Sequence, residues 1–206
     1  MSSPAEHTII YYFWLNSDWA YFGGERLEML ARRHRLAIDY RPVRVAEVYA
    51  RTGGQLLKDR SPQRQAYRIA ELKRWRERLR MPLNIEAKYR LTNHDLASCV
   101  VIAAKRKGLA PGPLVNAFLR AVWAEERDIG EPNTVRAIAS SLGDDADALL
   151  SAAASDEIRT EYLGMTDRAV ADGVYGSPFY IFKGEPFWGQ DRLEFLEEAV
   201  IRAVKA

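Results

Sequence analysis

Residues 8–15 read TIIYYFWL, an unbroken β-branched and aromatic run with no charge. A stretch of this length and composition is a strand buried on both faces, and a sheet of that kind needs helices packed above and below it. Asn16, Ser17 and Asp18 stop the run and can cap the next element, a helix predicted to reach about Arg35 with Tyr21, Leu27, Leu30 and Ala31 on its buried stripe. LAIDYRPV (36–43) is a second, alternating strand closed by Pro42. Strand, helix and strand within about 35 residues make a βαβ unit, so the first strand sets the fold class as α/β.

From about Val45 to Gly173 the pattern turns helical. Ser61-Pro62 opens a long helix that ends before Met81-Pro82. LASCVVIAA is followed by Lys105, Arg106, Lys107 and Gly108, cations in a last turn and a glycine just beyond it. Further helices are expected at 113–127, 134–142, 144–153 and 156–172, with Thr134 and Ser155 as N-caps. The chain then changes character again. PFYIFKGEPFWG reads as a β-hairpin turning at Lys183-Gly184, and a final helix over 191–204 begins at Asp191 with Glu194 three positions on, close to a capping box. These elements predict a βαβ … αββα domain formed from both chain ends (5–44 and 156–206) and interrupted by an all-helical insertion (45–155).

Composition excludes several classes. Among 206 residues, 48% are hydrophobic and 28% charged, ordinary values for a globular protein. No basic segment leads into an apolar stretch at the start, and no apolar run approaches the roughly 20 residues that cross a bilayer. One cysteine, Cys99, rules out an internal disulfide or a Cys-x-x-Cys motif, and its apolar surroundings suit a buried small hydrophobe; a reducing, cytoplasmic home is expected. His7, His34 and His94 are too scattered for a zinc site. The net charge of +2 is uneven, because residues 51–90 hold twelve Lys/Arg against four Asp/Glu. That segment is a solvated helix face or lies near an anionic substrate, with nucleic acid a weaker third reading.

Ser17 at the strand end, LKRWRERLRMPLNIEAKY (72–89), GVYGSPFYIF (173–182) and FWGQDRLEFLEEA (187–199) together resemble the 2-hydroxychromene-2-carboxylate isomerases, relatives of kappa-class glutathione transferases in the DsbA-like branch of thioredoxin folds. The resemblance spans nearly the whole chain, and W-G-x-D-R-L is its most specific element. It implies a thioredoxin-like domain, bound glutathione, a homodimer, and interconversion of 2-hydroxychromene-2-carboxylate and trans-o-hydroxybenzylidenepyruvate in bacterial aromatic breakdown. Sulfur would add to the conjugated ring-opened substrate, so that the attacked double bond rotates before sulfur leaves.

Position alone makes Ser17 an N-cap; the resemblance makes it the residue that stabilises the glutathione thiolate. The family commonly has Ser-Pro where this chain has Ser17-Asp18, and a carboxylate there would raise the thiol pKa unless it points to solvent. Ser177 and Pro178, with a cis peptide expected between them, would pair main chain with glutathione as an added strand. Trp188, Gly189, Gln190 and Asp191 form the other half of the implied site, Asp191 pairing with the γ-glutamyl ammonium and Gln190 adding an amide bond. By resemblance Tyr89 contacts the aromatic substrate, and Arg60, with Lys58 second, holds its carboxylate. Trp14 and Trp19 are strand and helix aromatics that can also wall a pocket. A kappa-like transferase or peroxidase, and a non-catalytic protein that binds through residues 51–90, are the competing readings.

Overall fold

The computed structural model describes residues 7–205, so Ala5, Glu6 and Ala206, at the outer limits of the expected halves, lie outside the described residues. Strand β1 (Thr8–Phe13) leads into α1 (Asp18–His34) and β2 (Ala37–Pro42). Six helices follow: α2 (Val45–Thr52), α3 (Pro62–Leu79), α4 (Asp95–Arg106), α5 (Pro111–Trp123), α6 (Pro132–Ser141) and α7 (Ala146–Ala153). Helix α8 (Asp156–Ala171) then returns the chain to β3 (Phe179–Phe182), β4 (Glu185–Trp188) and α9 (Leu193–Lys205). The sheet order is β2-β1-β3-β4, with β1 parallel to β2 and antiparallel to β3.

β1 is covered on both faces, as its composition demands. Ile9, Tyr11 and Phe13 point into the larger core with residues from α1, α4–α9 and the hairpin, whereas Tyr12 joins Val43, Val48, Ala169, Val174 and Phe179 on the opposite face. The larger core runs without a break from the sheet into the helical insertion. Within it Cys99 is buried, and loss of hydration pushes its thiol up to about 11, which makes it inert.

Several element ends differ from expectation: β1 stops at Phe13, two residues short of Leu15, α5 already begins at Pro111, and α7 begins only at Ala146. Helix α6 starts at Pro132 with Glu131 at its N-cap, not at Thr134, because proline's fixed φ suits a first helical position. Helix α5 stops at Trp123, short of residue 127, and Glu126 sits at φ 53. At the C-terminal end a 3-10 turn (Gln190–Arg192) precedes α9, so Asp191 pairs with Arg192 at 3.3 Å and does not open a capping box with Glu194. Ser155 does cap α8, accepting from Ile158 N.

Candidate functional site

Where β1 ends, the chain makes one turn, Ser17 N donating to Trp14 O at 2.9 Å, and α1 begins. Ser17 is the N-cap: its Oγ accepts from Ala20 N at 3.2 Å. The same hydroxyl donates to the Ser177 carbonyl at 3.3 Å, and the Ser177 Oγ accepts from Trp14 N at 2.9 Å. The Ser177-Pro178 peptide is cis. Both serines are buried. The 3.3 Å contact is long for an O–H···O bond, so a nearer or charged acceptor takes that proton easily.

Asp18 does not point to solvent. It is 5% exposed, its Oδ1 accepts from Trp19 N at 2.8 Å, and its Oδ2 is ion-paired with Arg68 of α3. Burial pushes its carboxyl above the usual carboxylate range, while Arg68, the Trp19 N–H and Arg60 pull the other way. The expected clash between a carboxylate and an anion at Ser17 is thus met inside the protein by a guanidinium. Nothing in local sequence announces this pair, whose members are 50 residues apart.

The closing segment is built around close approaches. Gly189 N donates to the cis-proline carbonyl at 3.0 Å, which fastens the end of β4 to the Ser177-Pro178 turn. Gly189 adopts φ 104, a conformation that side chains disfavour, and a Cβ there would collide with the Asp191 carboxylate. Trp188 is half exposed and stands edge-on to Tyr175 at 4.8 Å, over Gly176, where any Cβ would strike the indole. Asp191 is exposed. Gln190 is 2% exposed; its side-chain oxygen accepts from Arg26, and its carbonyl accepts from the same guanidinium at 3.2 Å.

A cleft of about 410 Å³ opens beside this segment, walled by Tyr49, Tyr175 and Trp188 and floored by Arg60 and Arg64, with no acid in its lining. Arg60 and Arg64 also line a neighbouring cleft of about 350 Å³, together with Trp19, Tyr67, Arg68 and one acid, Glu71. Cationic floors under aromatic walls suit a flat, conjugated carboxylate. Arg60 therefore stands where an anion fits, whereas Lys58, on the 3-10 turn Leu57–Asp59, lines neither cleft. Tyr89 also differs from expectation. Its ring is half-buried in the connection before α4, with Lys88 Nζ 4.9 Å from its centroid, and it lines neither cleft.

Trp14 walls a third cleft, of about 310 Å³, with Asn16, Leu56, Leu91 and His94. Its indole N–H donates to His94 Nε2 at 2.6 Å, which fixes the neutral tautomer with the proton on Nδ1. Burial lowers this imidazole from 6.5 to about 4. The folded protein thus keeps His94 neutral where the unfolded chain binds a proton. The stability contributed is complete above the ordinary histidine value and falls as pH drops towards the folded value, by up to about 1.4 kcal/mol per pH unit in that window. Denaturant titrations between pH 7 and pH 4 should show this slope, and His94→Gln should flatten it. Among the described residues no cluster of His, Cys, Asp and Glu could hold a metal, and no helix is long and apolar enough to cross a membrane.

Sequence reasoning passed over Tyr49, Arg64, Arg68 and Tyr175. Only the excess of cations over 51–90 pointed towards the two arginines. Tyr49 reaches the cleft through the path of α2, which no motif marks, whereas Tyr175 lies within GVYGSPFYIF, a segment whose backbone and not whose tyrosine drew the reading.

The arrangement has close counterparts. A family profile described as the DSBA-like thioredoxin domain matches residues 8–200. A 2-hydroxychromene-2-carboxylate isomerase of Sphingobium xenophagum is 30% identical over 196 residues, covering 94% of this chain and 98% of that protein. A solved 2-hydroxychromene-2-carboxylate isomerase superposes with a TM-score of 0.81 at 25% identity, covering 96% of each chain. A cytosolic disulfide reductase, DsbM of Pseudomonas aeruginosa with GSH, shares the fold alone, with a TM-score of 0.70 at 13% identity over 97% of this chain and 100% of its own. With a thioredoxin-like sheet closed by both ends of the chain and a serine capping the helix that follows its first strand, this chain belongs to the DsbA-like thioredoxin family and, within it, to the 2-hydroxychromene-2-carboxylate isomerases.

Proposed function

We propose that this chain is a glutathione-dependent isomerase that interconverts 2-hydroxychromene-2-carboxylate and its ring-opened trans-o-hydroxybenzylidenepyruvate. The observation that carries the reading is the meeting of Ser17 Oγ with the Ser177 carbonyl at the cis-proline turn, tied through Gly189 to the aromatic, arginine-floored cleft.

The residues present fit glutathione. The weakly held Ser17 proton suits an anionic sulfur, the Ser177 main chain lies at a sheet end, and Gly189 leaves room for close backbone approach. When bound, glutathione supplies a nucleophilic sulfur whose reversible addition to the conjugated double bond allows rotation about it. Ser17 holds the sulfur as an anion by hydrogen bond, beside the N-terminus of α1. Ser177 orients the tripeptide through its backbone, and Asp191, exposed at the other side, meets its ammonium. Arg60 and Arg64 bind the substrate carboxylate while Tyr49, Tyr175 and Trp188 flank its conjugated plane. Gln190, whose side-chain oxygen is held by Arg26, keeps its amide N–H groups for the tripeptide. Residues 45–155 act as the insertion that walls the substrate side, and the enzyme is a cytoplasmic homodimer.

Calorimetry with glutathione, followed by a spectrophotometric assay on chromene carboxylates, tests the reading. Binding together with glutathione-dependent isomerisation is expected. Turnover that persists without glutathione, or product formation only with chlorodinitrobenzene, would overturn it in favour of another activity. Arg60→Met is expected to raise KM for the chromene about tenfold with little change in kcat, the pattern of a lost contact that is equally strong in ground and transition state.

A further inference from the structure

Asp18 stands next to Ser17 at the first turn of α1, where its carboxylate opposes any anion that Ser17 holds. The groups that face it come from three elements. Arg68 of α3 is paired to it, Arg60 lies close enough to favour its charge, and the Tyr49 phenol of α2 feels both Asp18 and Arg60. Its other oxygen is taken by the Trp19 N–H, so the carboxylate is held in place from both sides.

Resting on the glutathione reading above, we propose that Arg68 is a positioning residue for the sulfur site: by neutralising Asp18 it allows an acidic residue to stand beside the serine that holds an anion. The pair presents nearly no net charge to the turn, so the hydroxyl of Ser17 and the N-terminus of α1 decide its potential. Removing the guanidinium alone would leave a buried negative charge against the sulfur. Removing the carboxylate alone would leave a positive one, and removing both would restore the balance.

The test is to titrate the ultraviolet absorbance of the bound glutathione thiolate in the native protein, Arg68→Gln, Asp18→Asn and the double variant. Arg68→Gln is expected to raise the midpoint by about one unit or more, a tenfold loss of thiolate at neutral pH, and Asp18→Asn to lower it. The double variant should return close to the native midpoint. Unchanged midpoints with glutathione still bound would overturn the role of Arg68 and leave the cofactor reading intact. Failure of the native protein to bind glutathione would sink both. Should Arg68→Gln not fold, the Asp18→Asn arm decides, because a midpoint that stays or rises there refutes the proposal.

Discussion

Arg68→Met is expected to lower the free energy of unfolding by about 3–5 kcal/mol, the usual cost of stripping one partner from a buried ion pair. Both side chains are largely inside, Arg68 13% and Asp18 7% exposed, so solvent does little to screen the charge left behind. The same substitution at an exposed pair such as Arg51–Asp167 should cost under about 1 kcal/mol. Combining Arg68→Met with Asp18→Asn removes the orphaned charge and is expected to recover most of the loss, since two uncharged groups need no mutual compensation. Urea titrations of the three variants read this directly. A double variant no more stable than Arg68→Met would show that packing of the arginine stem, not charge, carries the effect.

Ser17→Ala is expected to reduce turnover on the chromene by roughly 10²–10³-fold, as when one preorganised donor to a developing anion is removed. It also deletes an N-cap, worth about 1 kcal/mol of stability, so loss of activity and loss of fold need separating. Ser17→Gly does this. Glycine at an N-cap costs only a few tenths of a kcal/mol, yet it lacks the hydroxyl and should lose as much turnover as alanine. Glutathione affinity, measured by calorimetry, should change little in either variant, because on the proposed reading the other contacts would be to main chain and to the closing segment. Near-native turnover in Ser17→Gly would remove the serine from the chemistry.

How far the sequence could be read depends on the range of the interactions involved. TIIYYFWL, the Lys183-Gly184 hairpin and the Ser155 cap are decided by neighbours a few residues away; the hairpin and the cap stand as expected, and the strand ends two residues early, at Phe13. The resemblance likewise brought Ser17, Ser177, Pro178 and Gly189 together, because a shared fold keeps backbone positions. Side-chain direction is another matter. Gln190 turns to Arg26 through a contact that spacing does not encode, across 164 residues of chain. Asp18 acquires its partner only because α3 lies across α1. Thr134 lost its cap role to Glu131 because Pro132, two positions earlier, was the stronger start signal.

The strand order has a consequence for synthesis. β1 emerges from the ribosome with β2 close behind it, yet its other edge pairs with β3, which begins only at Phe179, the partner of Tyr12. Until the final hairpin leaves the exit tunnel, the nascent chain carries an open, strongly apolar edge, the kind that recruits other unfinished strands. Closure is therefore a late event in translation, and the interval before it is when the unfinished sheet is most open to aggregation.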